Sequence, residues 1–197
     1  MNDKKIVLRP ANPTQEEGLI FAEFLVTAFE GLMHLSLGKN FKVILARAYK
    51  QPEHCFSYEN TVFSLSGDTI TGMISAYPDW VDHKYNPLWE TSRSGIRSRL
   101  GAAFLIRRLG FLGSVHSGDF YIQALAVDPA YQSKGIGKEL LLHSEIMATN
   151  YSAGRLVLDV AAKNTHAIRI YKTFGMNKEL SPAGLQSRFI VKMAKNL

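Results

Sequence analysis

The stretch of this sequence whose residue types and spacing carry the most chemistry runs Leu125-Ala126-Val127-Asp128-Pro129-Ala130-Tyr131-Gln132-Ser133-Lys134-Gly135-Ile136-Gly137-Lys138-Glu139-Leu140-Leu141. An apolar, strand-like run ends at Val127, Pro129 turns the chain, and a short loop opens a helix. A helix start presents backbone N–H groups that have no intrahelical acceptor, together with a partial positive charge, so it binds phosphate. Gly135 and Gly137 lack a Cβ and let the backbone approach a pyrophosphate closely. Lys134 and Lys138 add cationic donors. Two other phosphate loops are excluded by spacing. A dinucleotide fingerprint needs a third glycine where Leu140 stands, and a Walker loop needs glycine and Ser or Thr where Gln132 and Glu139 stand. Taken alone, Gly-Ile-Gly is also compatible with a strand–helix turn that binds nothing.

Other reactive residues are sparse. The six histidines, at 34, 54, 83, 116, 143 and 166, form no ligand spacing, so no metal site is expected. Cys55 is the single cysteine; it excludes an internal disulfide and reads as a small buried residue rather than a nucleophile. No nucleophile–histidine pair stands out.

The elements that must position the loop can be read from periodicity and turn residues. A short strand is expected at 6–8. A helix follows, capped by Thr14 with Glu17 three residues on, and with Ile20, Phe24, Leu25 and Ala28 as its core face. A second helix is expected at 41–49, stopped by Pro52. Runs at 61–66 and 69–77 form a hairpin through Gly67-Asp68. Further on come a strand at 120–127, a helix at 135–149, a strand at 156–161, a helix at 165–174 that ends at Gly175, and a last strand at 186–192. This order predicts a mixed α/β sheet with helices packed on it, in one domain spanning 1–197.

The loop segment resembles motif A of the GNAT superfamily of acetyl-coenzyme A-dependent N-acetyltransferases, Gln/Arg-x-x-Gly-x-Gly/Ala after a strand; this chain reads Gln132-Ser133-Lys134-Gly135-Ile136-Gly137. Downstream, Asn164-Thr165-His166-Ala167-Ile168-Arg169-Ile170-Tyr171-Lys172-Thr173-Phe174-Gly175-Met176 is similar to the family's Asn-x-x-Ala-x-x-x-Tyr-x-x-x-Gly-Phe, with Met176 as an apolar replacement for Phe. The stronger likeness covers about 120–176. It implies a mixed, mostly antiparallel sheet flanked by helices, with a cofactor cleft splayed between the fourth and fifth strands. It also implies direct acetyl transfer from acetyl-coenzyme A to a primary amine on a small molecule or a protein. In that reading the backbone of Leu125, Ala126 and Val127 faces the pantetheine arm. Gln132, Ser133, Lys134, Gly135, Ile136, Gly137 and Lys138 hold the pyrophosphate. Asn164 reaches the pantetheine or nearby backbone, and Tyr171 protonates the departing thiolate. Some relatives carry a glutamate base near the start of the central strand; the matching position here is Tyr121, with Gln123 two residues on. Base work then comes from elsewhere or through ordered water; Glu59, Asp79 and Asp119 are candidates, each also compatible with a solvated surface carboxylate. A non-catalytic sensor of acyl-coenzyme A is the alternative function.

Composition narrows the partners. Hydrophobic residues make up 46% and charged residues 20% of 197 residues, a globular balance. No secretion signal or membrane-length apolar run is seen, so a cytoplasmic protein is expected, without membrane partners. Residues 1–90 hold 8 Lys/Arg against 11 Asp/Glu, whereas 91–197 hold 15 against 6. The second half therefore attracts anions. That charge overlaps the expected phosphate site and carries no nucleic-acid recognition pattern, so no nucleic acid partner is expected. The stretch 91–118 has no Asp or Glu and holds Arg93, Arg97, Arg99, Arg107 and Arg108. It reads as an inserted amphipathic helix over the acceptor entrance, helical across about 96–112, whose arginines face solvent, the cofactor's phosphates, an acidic patch on a macromolecular acceptor or a second subunit of a homodimer. Asp79, Asp82 and Glu90, among Trp80, Tyr85 and Trp89, suit a cationic acceptor.

Overall fold

The computed structural model describes residues 5–29, 40–82, 85, 115–179 and 189–197. The basic helix expected within 91–118 lies almost wholly outside them, as do Trp89 and Glu90. The described strands are β1 Ile6–Pro10, β2 Thr61–Ser66, β3 Thr69–Pro78, β4 Asp119–Val127, β5 Arg155–Ala161, β6 Asn177–Lys178 and β7 Ile190–Asn196. The helices are α1 Gln15–Ala28, α2 Phe41–Tyr49, α3 Ile136–Asn150 and α4 Thr165–Thr173. They form one sheet in the order β1-β2-β3-β4-β5-β7-β6. Every pair is antiparallel except β4–β5. Among the described residues no helix is long and apolar enough to cross a membrane.

Each face of the sheet has its own core. On one face Phe120 and Ile122 of β4 pack with Leu140 of α3 and Leu158 of β5. On the other, Phe63, Met73 and Ala124 pack beneath Phe21 and Leu25 of α1 and Leu45 of α2. A smaller cluster, Cys55, Tyr77, Val81, Tyr121 and Val157, is also buried.

Two sequence expectations shift. The buried face of α1 is Glu17, Gly18, Phe21, Ala22 and Leu25; Ile20 and Phe24 are only partly buried. The reason is the close approach of α2: a Cβ on Gly18 would lie 2.9 Å from the Ala46 carbonyl oxygen, so only glycine lets the helices meet there. The last strand, expected at 186–192, is Ile190–Asn196. Its bounds follow its pairing with β5, from Arg155↔Asn196 to Ala161↔Ile190, rather than local β propensity. Its lysines are employed: Lys192 stands opposite Asp159, and Lys195 pairs with Glu145 of α3. The two-residue β6 was not anticipated.

The cap of α1 extends into a buried ionic cluster. Thr14 Oγ1 accepts from Glu17 N at 3.1 Å, as the capping spacing predicts. The Glu17 carboxylate does not turn back to Thr14. It accepts from Asn12 N at 2.7 Å, Asn12 Nδ2 at 2.8 Å and Arg9 Nη2 at 2.8 Å, with the Tyr49 hydroxyl at 3.4 Å. Burial by itself would raise the Glu17 pKa, but the hydrogen bonds from Arg9 and Asn12 outweigh it and hold the pKa below 4.5. A depressed folded-state pKa stabilises the fold above the unfolded value, and that stability is lost as pH falls through the folded value. Glu17→Ala is therefore expected to cost about 3 kcal/mol near neutral pH, since it strands buried donors. Denaturant titrations of both proteins should show the gap narrowing below about pH 4.5.

Candidate active site

The site begins where β4 leaves β5. The parallel β4–β5 ladder runs from Asp119↔Arg155 to Ile122↔Leu158 and then stops, although both strands continue. Against β3, Ser75 faces Ala124 while Ala76 faces Ile122, so Gln123 is bulged out of register. Gln123 Oε1 accepts from Ser75 Oγ at 3.1 Å, which pins the bulge. Beyond it β4 and β5 diverge, and the β5-facing backbone of Leu125, Ala126 and Val127 borders the gap, while those residues pair with β3 on the other side.

The loop sits at the open end of this gap. Asp128 Oδ1 accepts from Ala130 N at 2.8 Å and starts a 3₁₀ turn at Pro129–Tyr131. Gln132 reaches back: its Nε2 donates to the Val127 carbonyl at 3.1 Å, tying the loop to the end of the strand. Ser133 and Gly135 both take left-handed backbone, with φ of 62° and 82°. The Gly135 carbonyl accepts from Lys138 N and Glu139 N. The N–H groups of Ile136 and Gly137 precede the first intrahelical bond and point out of the helix start. Lys134 Nζ lies 4.8 Å from the Tyr131 ring centroid, at the loop's rim.

What seats the loop was not read from the sequence. Ile136 is 1% exposed, and its side chain rests over Gly72 of β3. A Cβ on Gly72 would lie 2.9 Å from Ser64 Oγ, 3.0 Å from the Ala126 carbonyl oxygen and 3.4 Å from Ile136 Cγ2. Glycine inside an apolar strand was the available signal.

The second motif forms α4. Asn164 caps this helix, its Oδ1 accepting from Ala167 N at 3.0 Å. Gly175, with φ of 96°, ends it. Gly175 N donates to the Lys172 carbonyl and Met176 N to the Tyr171 carbonyl, both at 2.9 Å, a Schellman closure. Met176 is 1% exposed, so the apolar replacement is seated in the core. Tyr171 packs against the core on the α3 face of the sheet. Burial pushes its phenol up to about 12, so the hydroxyl keeps its proton at neutral pH.

The three carboxylates considered as bases all hold structure together. Glu59 Oε2 accepts from Glu53 N at 3.0 Å and from Ser57 Oγ at 3.4 Å. Asp79 Oδ2 accepts from Gly118 N at 2.8 Å. Asp119 is buried and takes Arg155 Nε at 2.8 Å and His116 N at 3.0 Å. Cys55 is buried, and burial, with the nearby Asp82 charge adding to it, pushes its thiol up to about 12, which removes it as a nucleophile at neutral pH. One charged group in a cleft-bordering strand was missed. Asp159 stands in the run Leu156-Val157-Leu158-Asp159-Val160, and its Oδ2 accepts from the Tyr121 hydroxyl at 3.1 Å. A lone acid in an apolar strand was the signal that could have found it.

Comparison with known proteins agrees with this arrangement. The sequence pattern of the Acetyltransferase (GNAT) family matches residues 32–176. A spermine/spermidine N(1)-acetyltransferase of Bacillus subtilis is 35% identical over 60 residues, 30% of this chain and 40% of that protein. The matched stretch thus spans about two fifths of that relative's length. The fold of an N-acetyltransferase from Staphylococcus aureus Mu50 is similar, with a TM-score of 0.71 at 18% identity, covering 96% of this chain and 100% of that one. A Bacillus subtilis acetyltransferase in complex with CoA gives 0.56 at 15% identity, covering 98% and 99%. With the family's pattern extending over most of the sequence and the same fold in these enzymes, the chain belongs to the GNAT family of acetyltransferases.

Proposed function

We propose that this protein is an N-acetyltransferase that moves an acetyl group from acetyl-coenzyme A directly to a primary amine. The observation that carries this reading is the gap between β4 and β5, bulged at Gln123 and bordered at its open end by a loop with left-handed backbone at Ser133 and Gly135. The loop fits such a group: two left-handed residues turn successive N–H groups to one side, and the space over Gly135 is clear within 4 Å of where a Cβ would sit. Ser133, Gly135, Ile136 and Gly137 would hold the pyrophosphate with Lys134 and Lys138, while Gln132 holds the loop itself. The edge of β4 from Leu125 to Val127 would pair with the amide-bearing arm.

When bound, acetyl-coenzyme A supplies the activated acetyl group. The residues of the chain then meet three demands. The amine must reach the carbon without its extra proton. A backbone N–H freed by the Gln123 bulge can receive the developing oxyanion. Tyr171, kept protonated by burial, can donate to the departing sulfur. The acceptor we favour is a cationic amine, a small polyamine or an exposed amino terminus. The name of the Bacillus subtilis relative supports the first.

The test is release of coenzyme A thiol from acetyl-coenzyme A in the presence of an amine panel containing spermidine, a peptide with a free amino terminus and an anionic amino acid. Amine-dependent thiol release, with a matching acetylated product by mass, is expected, with the cationic acceptors ahead. Cofactor binding without turnover on any acceptor would make the protein a sensor. Preference for the anionic acceptor would overturn the acceptor class alone.

A further inference from the structure

The acceptor's proton needs a destination, and the carboxylates at Glu59, Asp79 and Asp119 are engaged in holding backbone and side chains. The last β4–β5 pair, at the vertex of the gap, is Ile122↔Leu158. The next residue on β5 is Asp159, and the residue before Ile122 is Tyr121. Their side chains bridge the strands just where backbone pairing ends, with 3.1 Å between Tyr121 Oη and Asp159 Oδ2. The phosphate loop lies at the opposite, open end. A cofactor arm laid from that loop along β4 would bring its acyl end toward this vertex, next to the Gln123 bulge.

The cluster has the charge pattern of a working carboxylate. The Asp159 side chain is 4% exposed. Lys192 of β7 stands opposite it in register, with Nζ 3.4 Å from the carboxylate, so a cation, a carboxylate and a phenol meet at this point. Lys192 Nζ is also 5.6 Å from the Tyr121 ring centroid. An ammonium brought beside that cation is disfavoured relative to the neutral amine, which helps release the proton. Other groups facing the cluster are Tyr77 of β3 and Cys55. Both are buried and have raised pKa values, so both stay neutral at physiological pH.

The faces of the sheet separate the two proton sites. Tyr121 packs with Tyr77 and Val157 on the side away from α3. Tyr171 packs on the α3 side. Among the described residues, the gap between β4 and β5 is where the two faces would meet at one reacting centre, so that one can receive a proton while the other donates.

We propose that Tyr121 and Asp159 form the proton-accepting pair for the acceptor amine. The ammonium N–H bond breaks, and its proton joins the Tyr121 oxygen. The Tyr121 O–H proton passes at the same time to the Asp159 carboxylate. The nitrogen keeps the electron pair and forms its bond to the thioester carbon; the C–S bond then breaks with the Tyr171 proton going to sulfur, the nitrogen's second proton restores Tyr171 by way of water, and Asp159 later returns its own proton to water. This rests on the N-acetyltransferase reading above.

The test measures kcat/KM against pH for Tyr121→Phe and Asp159→Asn, using the best acceptor of the amine panel. Tyr121→Phe keeps the ring packed and leaves the Asp159–Lys192 pair in place. A loss of about a hundred-fold at pH 7 is expected, with acetyl-coenzyme A affinity unchanged. The gap to wild type should close by roughly ten-fold per pH unit as pH rises toward the amine's pKa and more of the ammonium loses its proton in water. A structural role predicts a loss that is independent of pH. Equal activity, or a pH-independent loss, in Tyr121→Phe overturns the proposal. If Asp159→Asn fails to fold, the Tyr121→Phe profile decides alone. A wild-type protein that turns over no amine removes the enzyme reading itself and this inference with it.

Discussion

Gly137→Val is expected to lower acetyl-coenzyme A affinity by at least about a hundred-fold, close to 2.7 kcal/mol, while leaving the fold intact. Gly137 is the second residue of α3. A Cβ there would meet only Val127 Cγ2, at 3.9 Å, an ordinary contact, so the free protein has room for the larger side chain. The room is what matters. It lies between the end of β4 and the outward N–H groups of the helix start, where a phosphate must come to receive them. A branched side chain would fill the approach and hold the anion away from its donors. Gly135→Val is the less clean variant, because φ of 82° strains any β-branched residue and would cost stability as well. Calorimetry with acetyl-coenzyme A, with thermal unfolding as the fold control, reads the result. Unchanged affinity in a folded Gly137→Val protein would falsify the assignment of this loop to the cofactor.

Tyr171→Phe is expected to reduce turnover by roughly ten- to a thousand-fold, with acetyl-coenzyme A affinity nearly unchanged. The ring fills a place in the core on the α3 face, and phenylalanine keeps that packing. Only the hydroxyl is lost. Its pKa, raised to about 12 by burial, keeps it in the donating form across the physiological range. The departing thiolate would then leave without a proton donor. Single-turnover kinetics isolate this step from product release. A folded variant with unaltered single-turnover rate would return Tyr171 to a purely packing role.

The two motifs were legible because their structure is local. A strand end, a turn and a helix start are contiguous in the chain, so Val127, Gln132, Gly135 and Gly137 announce the loop by their order. The same holds for Asn164, Tyr171 and Gly175, which cap, line and end one helix. Helix and strand existence followed from periodicity, and the bounds of α2, β2 and β3 lay within a residue of expectation. The fourth strand was found, though not its bulge: Gln123 is unremarkable in sequence, and its slip exists only relative to Ser75 and Ala76 of β3.

What the amino-acid order determined by itself is thus the glycine-containing turn from Val127 into α3, the Asn–Tyr–Gly helix and the sequence of elements that carries them, because each depends on neighbours within a few residues. Tertiary structure alone decided the rest. It set which face of α1 is buried, through Gly18 against Ala46, and how Ile136 is seated over Gly72. It set the bounds of β7 through its partner strand. It engaged Asp119 with Arg155, and it joined Tyr121, Asp159 and Lys192 from three strands at the point where two of them part. Distances between residues so far apart in the chain are set by sheet register and helix packing, quantities that no short window of sequence contains.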